Sequence, residues 1–145
     1  MAITTAMCNS FKQELLGAVH DLDTNTFKVA LIKPSNSGTY GAAITNYSDL
    51  TGNTDEAVGT NYTAGGQILD SATISLSGST AFVDFGDEVF ANLTISADGA
   101  IIYNASQANK AVAVFDFGGT ITSTSGDFTL VFPTADASNA VIRIS

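Results

Sequence analysis

Few residues in this chain could do chemistry. The sequence of 145 residues holds one His, one Cys and no Trp. A Ser–His–Asp system would have to be built on His20, and no Gly-x-Ser-x-Gly elbow presents a serine to it. A catalytic thiol at Cys8 would need the same histidine as its base. Cys8 therefore reads as an inert, partly buried residue near a helix start, and alone it cannot close an internal disulfide. The same counts disfavour zinc held by nitrogen and sulfur. The densest acidic group is Asp84, Asp87 and Glu88. Oxygen ligands for calcium could gather there, although the spacing is not that of an EF-hand loop. A solvated acidic turn is the plainer reading. Asp21 and Asp23, beside the expected helix end, offer no better cation site. Two carboxylates facing across a groove could cleave a glycoside, but no tryptophan is present to platform a sugar. Asp84-Phe85-Gly86 and Asp116-Phe117-Gly118 spell a kinase tripeptide without the other kinase elements. Ala64-Gly65-Gly66 lacks the Lys-Ser/Thr that completes a phosphate loop. The expectation is a chain with no catalytic residue, no cofactor and no metal.

The elements that would position any site follow from hydrophobic period. Ser10 and Gln13 match a capping box, and Phe11, Leu15, Ala18 and Val19 fall near one helical face. This predicts one short N-terminal helix near 11–19, with His20 placed to serve its C-terminal carbonyls. From Thr26 the period changes to two. Phe27, Val29 and Leu31 share one face of a strand that Pro34 stops. Ala72 to Leu76 and Ala81 to Phe85 form a hairpin around Ser77-Gly78-Ser79. Leu93 and Ile95 mark another strand, Asp98-Gly99 reads as a hairpin turn, and Ala100 to Tyr103 returns. Lys110 to Phe117 is apolar on both faces and reads as a central, covered strand. Gly118-Gly119 and Ser125-Gly126 bracket an expected polar turn region. Strands at Phe128 to Phe132 and Ala140 to Ile144 complete about eight.

Short strands with regular turn signals indicate a sandwich or barrel. The predicted fold is all-β, a single antiparallel, jelly-roll-like β-sandwich over 1–145. Phe82 or Phe85, Phe115, Phe128 and Phe132 should lie between its sheets. A long irregular loop near 35–66 interrupts it and carries Tyr40, Tyr47 and Tyr62, with one helical turn starting at Ser48. Tyrosine buries area while keeping a polar tip, so these three are either a partner interface or a lid on the sandwich.

Charge narrows the partners. Five Lys and Arg stand against 14 Asp and Glu, for a net charge of −9, and 45% of residues are hydrophobic. Nucleic acid is disfavoured because phosphate binding draws on clustered cations, and anionic membrane surfaces are disfavoured for the same reason. No stretch approaches the roughly 18–20 apolar residues that span a bilayer, and the start does not read as a signal peptide.

Three segments carry a resemblance. They are Phe27-Lys28-Val29-Ala30-Leu31; Tyr47-Ser48-Asp49-Leu50-Thr51 through Tyr62-Thr63-Ala64-Gly65-Gly66; and Ala113-Val114-Phe115-Asp116-Phe117-Gly118-Gly119. In this order they resemble small acidic virion proteins of tailed bacteriophages, of the capsid cement or decoration type. The resemblance implies a structural, non-enzymatic protein on the outer capsid surface of the virion. It also implies the major capsid protein as partner and a homotrimer as assembly. The other readings are a tail, neck or fibre component, and a glycan-binding β-sandwich module.

Overall fold

A computed structural model describes residues 2–70 and 72–145. The chain is an antiparallel all-β sandwich, as the period of two implies. Its spine is one long hairpin formed by β8 (Glu88–Asn104) and β9 (Lys110–Leu130). β3 (Phe27–Ile32) pairs antiparallel with the inner half of β8, from Phe27 opposite Asn104 to Ile32 opposite Gly99. The short strands β2 (Ala6–Met7) and β5 (Gln67–Ile68) close a five-stranded sheet in the order β2-β9-β8-β3-β5. A three-stranded sheet, in the order β10-β7-β6, comprises β6 (Thr73–Ser77), β7 (Thr80–Asp84) and β10 (Ile142–Ile144). A parallel pair, β1 (Ala2–Ile3) with β4 (Thr39–Tyr40), completes the strands. Sheets of five, three and two strands are not the paired four-stranded sheets of a complete jelly roll.

The large sheet is covered on both faces, which explains its unbroken apolar runs. Val29 to Ile32, Ala100 to Tyr103 and Ala111 to Val114 are all buried. On one face Phe27 meets Phe85, just past β7, at 5.6 Å between ring centroids, and Phe115 meets Phe132 at 6.0 Å. Phe128 packs edge-on against Phe90 at 6.3 Å. Phe82 points to the other side of β7 and is half-buried. On the opposite face of the large sheet, Tyr103 stacks on Tyr47 from the long loop, 4.6 Å between centroids.

Three local expectations are corrected. Asp98-Gly99 is not a turn; it lies inside β8. Gly99 sits so close to the Phe115 carbonyl that a Cβ there would overlap it, so the glycine serves strand contact and not chain reversal. Gly118-Gly119 and Ser125-Gly126 likewise lie within β9. The register runs from Ala97 opposite Ile121 to Gly99 opposite Asp116, so Asp98 alone faces 117–120. Gly118, at φ 74°, supplies the left-handed residue of this bulge, and Thr120 Oγ1 donates to Asp98 Oδ1 at 2.6 Å across it. The hairpin is therefore one bent ribbon where the turn signals implied separate strands.

The helix α1 (Asn9–Leu16) begins earlier and ends earlier than expected. Its N-cap is Cys8, and Ser10 makes no capping box; Ser10 Oγ instead donates to the Ile44 carbonyl at 3.5 Å. Ala18, at φ 57°, turns the chain inward and carries His20 into the core. A second helix, α2 (Ser48–Gly52), forms the turn expected from Ser48.

Candidate functional site

The polar groups of the chain gather in three places, each tied to an element that holds it. The first is the buried carboxylate Asp55, fully enclosed just after α2. Its Oδ2 accepts from the Tyr40 hydroxyl at 2.7 Å, the Gly38 N–H at 2.8 Å and the Ser37 N–H at 2.9 Å. Lys33 Nζ stands 3.3 Å from Oδ1. Burial alone would raise its pKa, but these donors and the ammonium outweigh it and hold the carboxyl well below its usual range. The same burial and the adjacent carboxylate push the Tyr40 hydroxyl up.

The second place is Glu56, whose side chain turns away from Asp55 toward a ring of tyrosines. It accepts from the Tyr47 hydroxyl at 2.5 Å, the Tyr62 hydroxyl at 2.9 Å and the Gly65 N–H at 2.6 Å. Tyr62 Oη in turn accepts from the Leu31 N–H at 2.9 Å, and Tyr103 donates to the Gly65 carbonyl at 2.6 Å. Burial, and then the Glu56 charge, push the Tyr103 hydroxyl up to about 12. Gly66, at φ 73°, passes so close to the Val29 carbonyl that no side chain fits. The two neighbouring carboxylates thus fasten the segment 35–66 onto the edge and face of the large sheet.

This locates the three tyrosines expected at a partner interface. Tyr40 is buried, and Tyr47 and Tyr62 are half-buried with their hydroxyls turned inward to Glu56. The structure brings Tyr47 and Tyr62 together on one carboxylate and sends Tyr40 to the other. The rings of the latter two pack on the large sheet, Tyr47 on Tyr103 and Tyr62 on Phe90.

The third place surrounds His20, which is buried beside Phe11 at 4.8 Å. Asn104 Nδ2 donates to His20 Nδ1 at 3.0 Å, so Nε2 carries the proton and donates to Glu14 Oε2 at 2.8 Å. Lys110 Nζ holds the other Glu14 oxygen at 3.0 Å, and Asn104 also donates to Asn25 at 2.8 Å. Burial would raise the Glu14 carboxyl, yet the bonds from His20 and Lys110 bring it below its ordinary value. A general base needs a nitrogen open toward substrate. Both His20 nitrogens are spent inside the fold, and the ring does not serve the α1 carbonyls as expected.

The remaining candidates do not converge. Asp87 Oδ1 accepts from the Phe132 N–H at 2.9 Å, while burial and then the Asp70 charge raise the Glu88 carboxyl. Asp84 stands opposite Thr73 in the small sheet. Among the described residues no three His, Cys, Asp or Glu side chains come together as a metal site. Cys8 is fully buried, and burial, then the charges of Asp49 and Glu14, push its thiol up to about 12. An apolar pocket of about 320 Å³ opens between Phe115, Phe117, Leu130 and Phe132. Its one acidic neighbour, Asp116, accepts from the Gly118 N–H at 2.9 Å.

Asp55, Glu56, Glu14 and Asn104 were not legible as site residues. The only available signal was adjacent carboxylates in a tyrosine-bearing segment. No family profile, no curated protein and no solved structure matches this chain.

Proposed function

We propose that this chain is a structural, non-enzymatic virion protein that binds the outer surface of a tailed-phage capsid and stabilises it. The reading rests on the resemblance carried by the three segments. The observation that supports it is the pinning of segment 35–66 by Asp55 and Glu56. A long surface loop is where enzymes and binding modules keep mobile chemistry. Here its carboxylates and tyrosines are spent on holding it rigid. A rigid body loses little conformational entropy on docking. An ordinary contact of roughly 1,200–2,000 Å² suffices when each copy touches more than one capsid subunit, because linked contacts multiply affinity. Binding only the assembled shell stabilises that shell by mass action. A charge of −9 keeps such a protein off packaged nucleic acid.

The test is to mix purified protein with empty capsids of the phage that encodes it and count bound copies. Hundreds of copies spread over the shell are expected. A few copies at one pole or at fibre tips would instead assign a tail, neck or fibre role. No binding to particles, or turnover of a substrate by the isolated protein, would overturn the reading.

A further inference from the structure

The small sheet ends on a strand that nothing covers. β6 closes the order β10-β7-β6, and among the described residues no strand pairs with its outer edge. Such an edge is a template for another strand, and natural proteins blunt it with shortness, charge, proline or a bulge. The edges of the large sheet, β2 and β5, are two residues each. The outer half of β9 is longer, but it is broken by register shifts, holds Ser125 at φ 49° and carries Asp127. β6 has none of these devices. It runs Thr-Ile-Ser-Leu-Ser, and its register with β7 is unbroken from Thr73 opposite Asp84 to Ser77 opposite Thr80. Its apolar side chains also lie open, Ile74 at 53% and Leu76 at 72% exposure.

We infer that β6 is a homotypic docking edge, on which β6 of a second copy of this chain pairs antiparallel about Ser75. Two observations select a second copy as the occupant. The first is self-complementarity. Gly78, at φ 60°, makes the first position of a two-residue turn, so Ser77 and Thr80 are the hydrogen-bonded closing pair. Alternation then turns the N–H and C=O groups of Ile74 and Leu76 to the free edge. Centred on Ser75, Ile74 meets the copy's Leu76 and Leu76 meets its Ile74, so the outward groups bond each other and the apolar side chains share one face. Ile144, opposite Ala81, which in turn faces Leu76, extends that face across the sheet. The second is charge. Copies of a chain at −9 repel over most of their surface, but positions 71–83 contain no ionisable side chain. The edge is a stretch where two copies approach without that penalty.

The contact is isologous and two-fold, unlike the homotrimer that the resemblance implies, since a ring of three needs two different patches to meet. It holds whether or not the protein sits on a capsid. Sedimentation velocity of the full chain over a wide concentration range tests it, with Leu76→Lys and Ser75→Cys variants. The wild type is expected to form a concentration-dependent dimer. Leu76→Lys should weaken association by roughly tenfold or more, with a melting temperature equal to the wild type's when both are diluted to the monomer. Ser75→Cys should cross-link under mild oxidation, because facing non-hydrogen-bonded residues lie about 4.5 Å apart at Cα, within disulfide range. The wild type, whose Cys8 is buried, should not cross-link. A wild type that stays monomeric throughout would overturn the proposal and leave the edge to a strand of another protein. A trimer indifferent to Leu76→Lys, or a Ser75→Cys variant that fails to cross-link, would overturn it equally.

Discussion

Asp55→Asn isolates the buried carboxylate while keeping its shape. The new amide can keep one oxygen where Oδ2 now accepts from Tyr40, Gly38 and Ser37. Its NH2 then faces the Ser37 N–H, 3.0 Å from Oδ1, and the Lys33 ammonium at 3.3 Å. One bond to a charged acceptor is lost outright, and three others lose their charge. Bonds to charged groups contribute about 1.5–3 kcal/mol against roughly 1 for neutral ones. Lys33 is partly exposed and regains water, which limits the penalty for stranding it. The expected loss is about 3 kcal/mol, or a melting temperature lower by about 6–12 °C. The pH dependence follows from the sign of the shift. The folded carboxyl titrates below its unfolded value. Its stabilisation is therefore full above pH about 4 and is lost as pH falls through the folded value. Denaturant melts of both proteins at neutral pH and near pH 3 should show the gap narrowing in acid. A variant as stable as the wild type at pH 7, or a gap that does not narrow in acid, would refute the role given to Asp55.

Gly99→Ala should cost about 2–3 kcal/mol, read by urea denaturation, because its Cβ overlaps the Phe115 carbonyl between the two central strands. Phe85→Ala removes a ring that meets both Phe27 and Phe132 and should cost about 3–5 kcal/mol, seen as a lower denaturation midpoint. The Cys8 thiol, held up at about 12 by burial, should resist a disulfide reagent at pH 8 in the native protein and react at once in denaturant.

The strands were readable because side chains alternate between the two faces of a strand, and the run from Val29 to Ile32 is apolar throughout because both of its faces are covered. Ile74 and Leu76 alternate with serines in the same way, but the face they share lies open, at 53% and 72% exposure, where the alternation implies a buried one. Asp98-Gly99 misled for an equally physical reason. The same dipeptide that favours a tight turn also permits close strand contact, and only the carbonyl of Phe115, distant in sequence, decides between them. The helix end was misplaced because Ala18 continues the apolar spacing, while the need to seat His20 between Glu14 and Asn104 bends the chain there. Asp55 and Glu56 carry no local mark of burial. Their partners, from Lys33 to Gly65, come together only after segment 35–66 has folded back on the sheet.

These fasteners bear on where the molecule can act. The carboxylates of Asp55 and Glu56 each accept from several protein donors, and both nitrogens of His20 are bonded inside the fold, so these groups are committed to holding the structure. Among the described residues no buried side-chain nitrogen or oxygen lacks a partner. Main-chain groups are a further source of new bonds, because a strand edge exposes donors and acceptors in register. β6 is such an edge: it is uncharged, and no strand pairs with its outer side among the described residues. The interior fixes the shape, and the β6 edge leaves backbone groups and the side chains of Ile74 and Leu76 open at the surface.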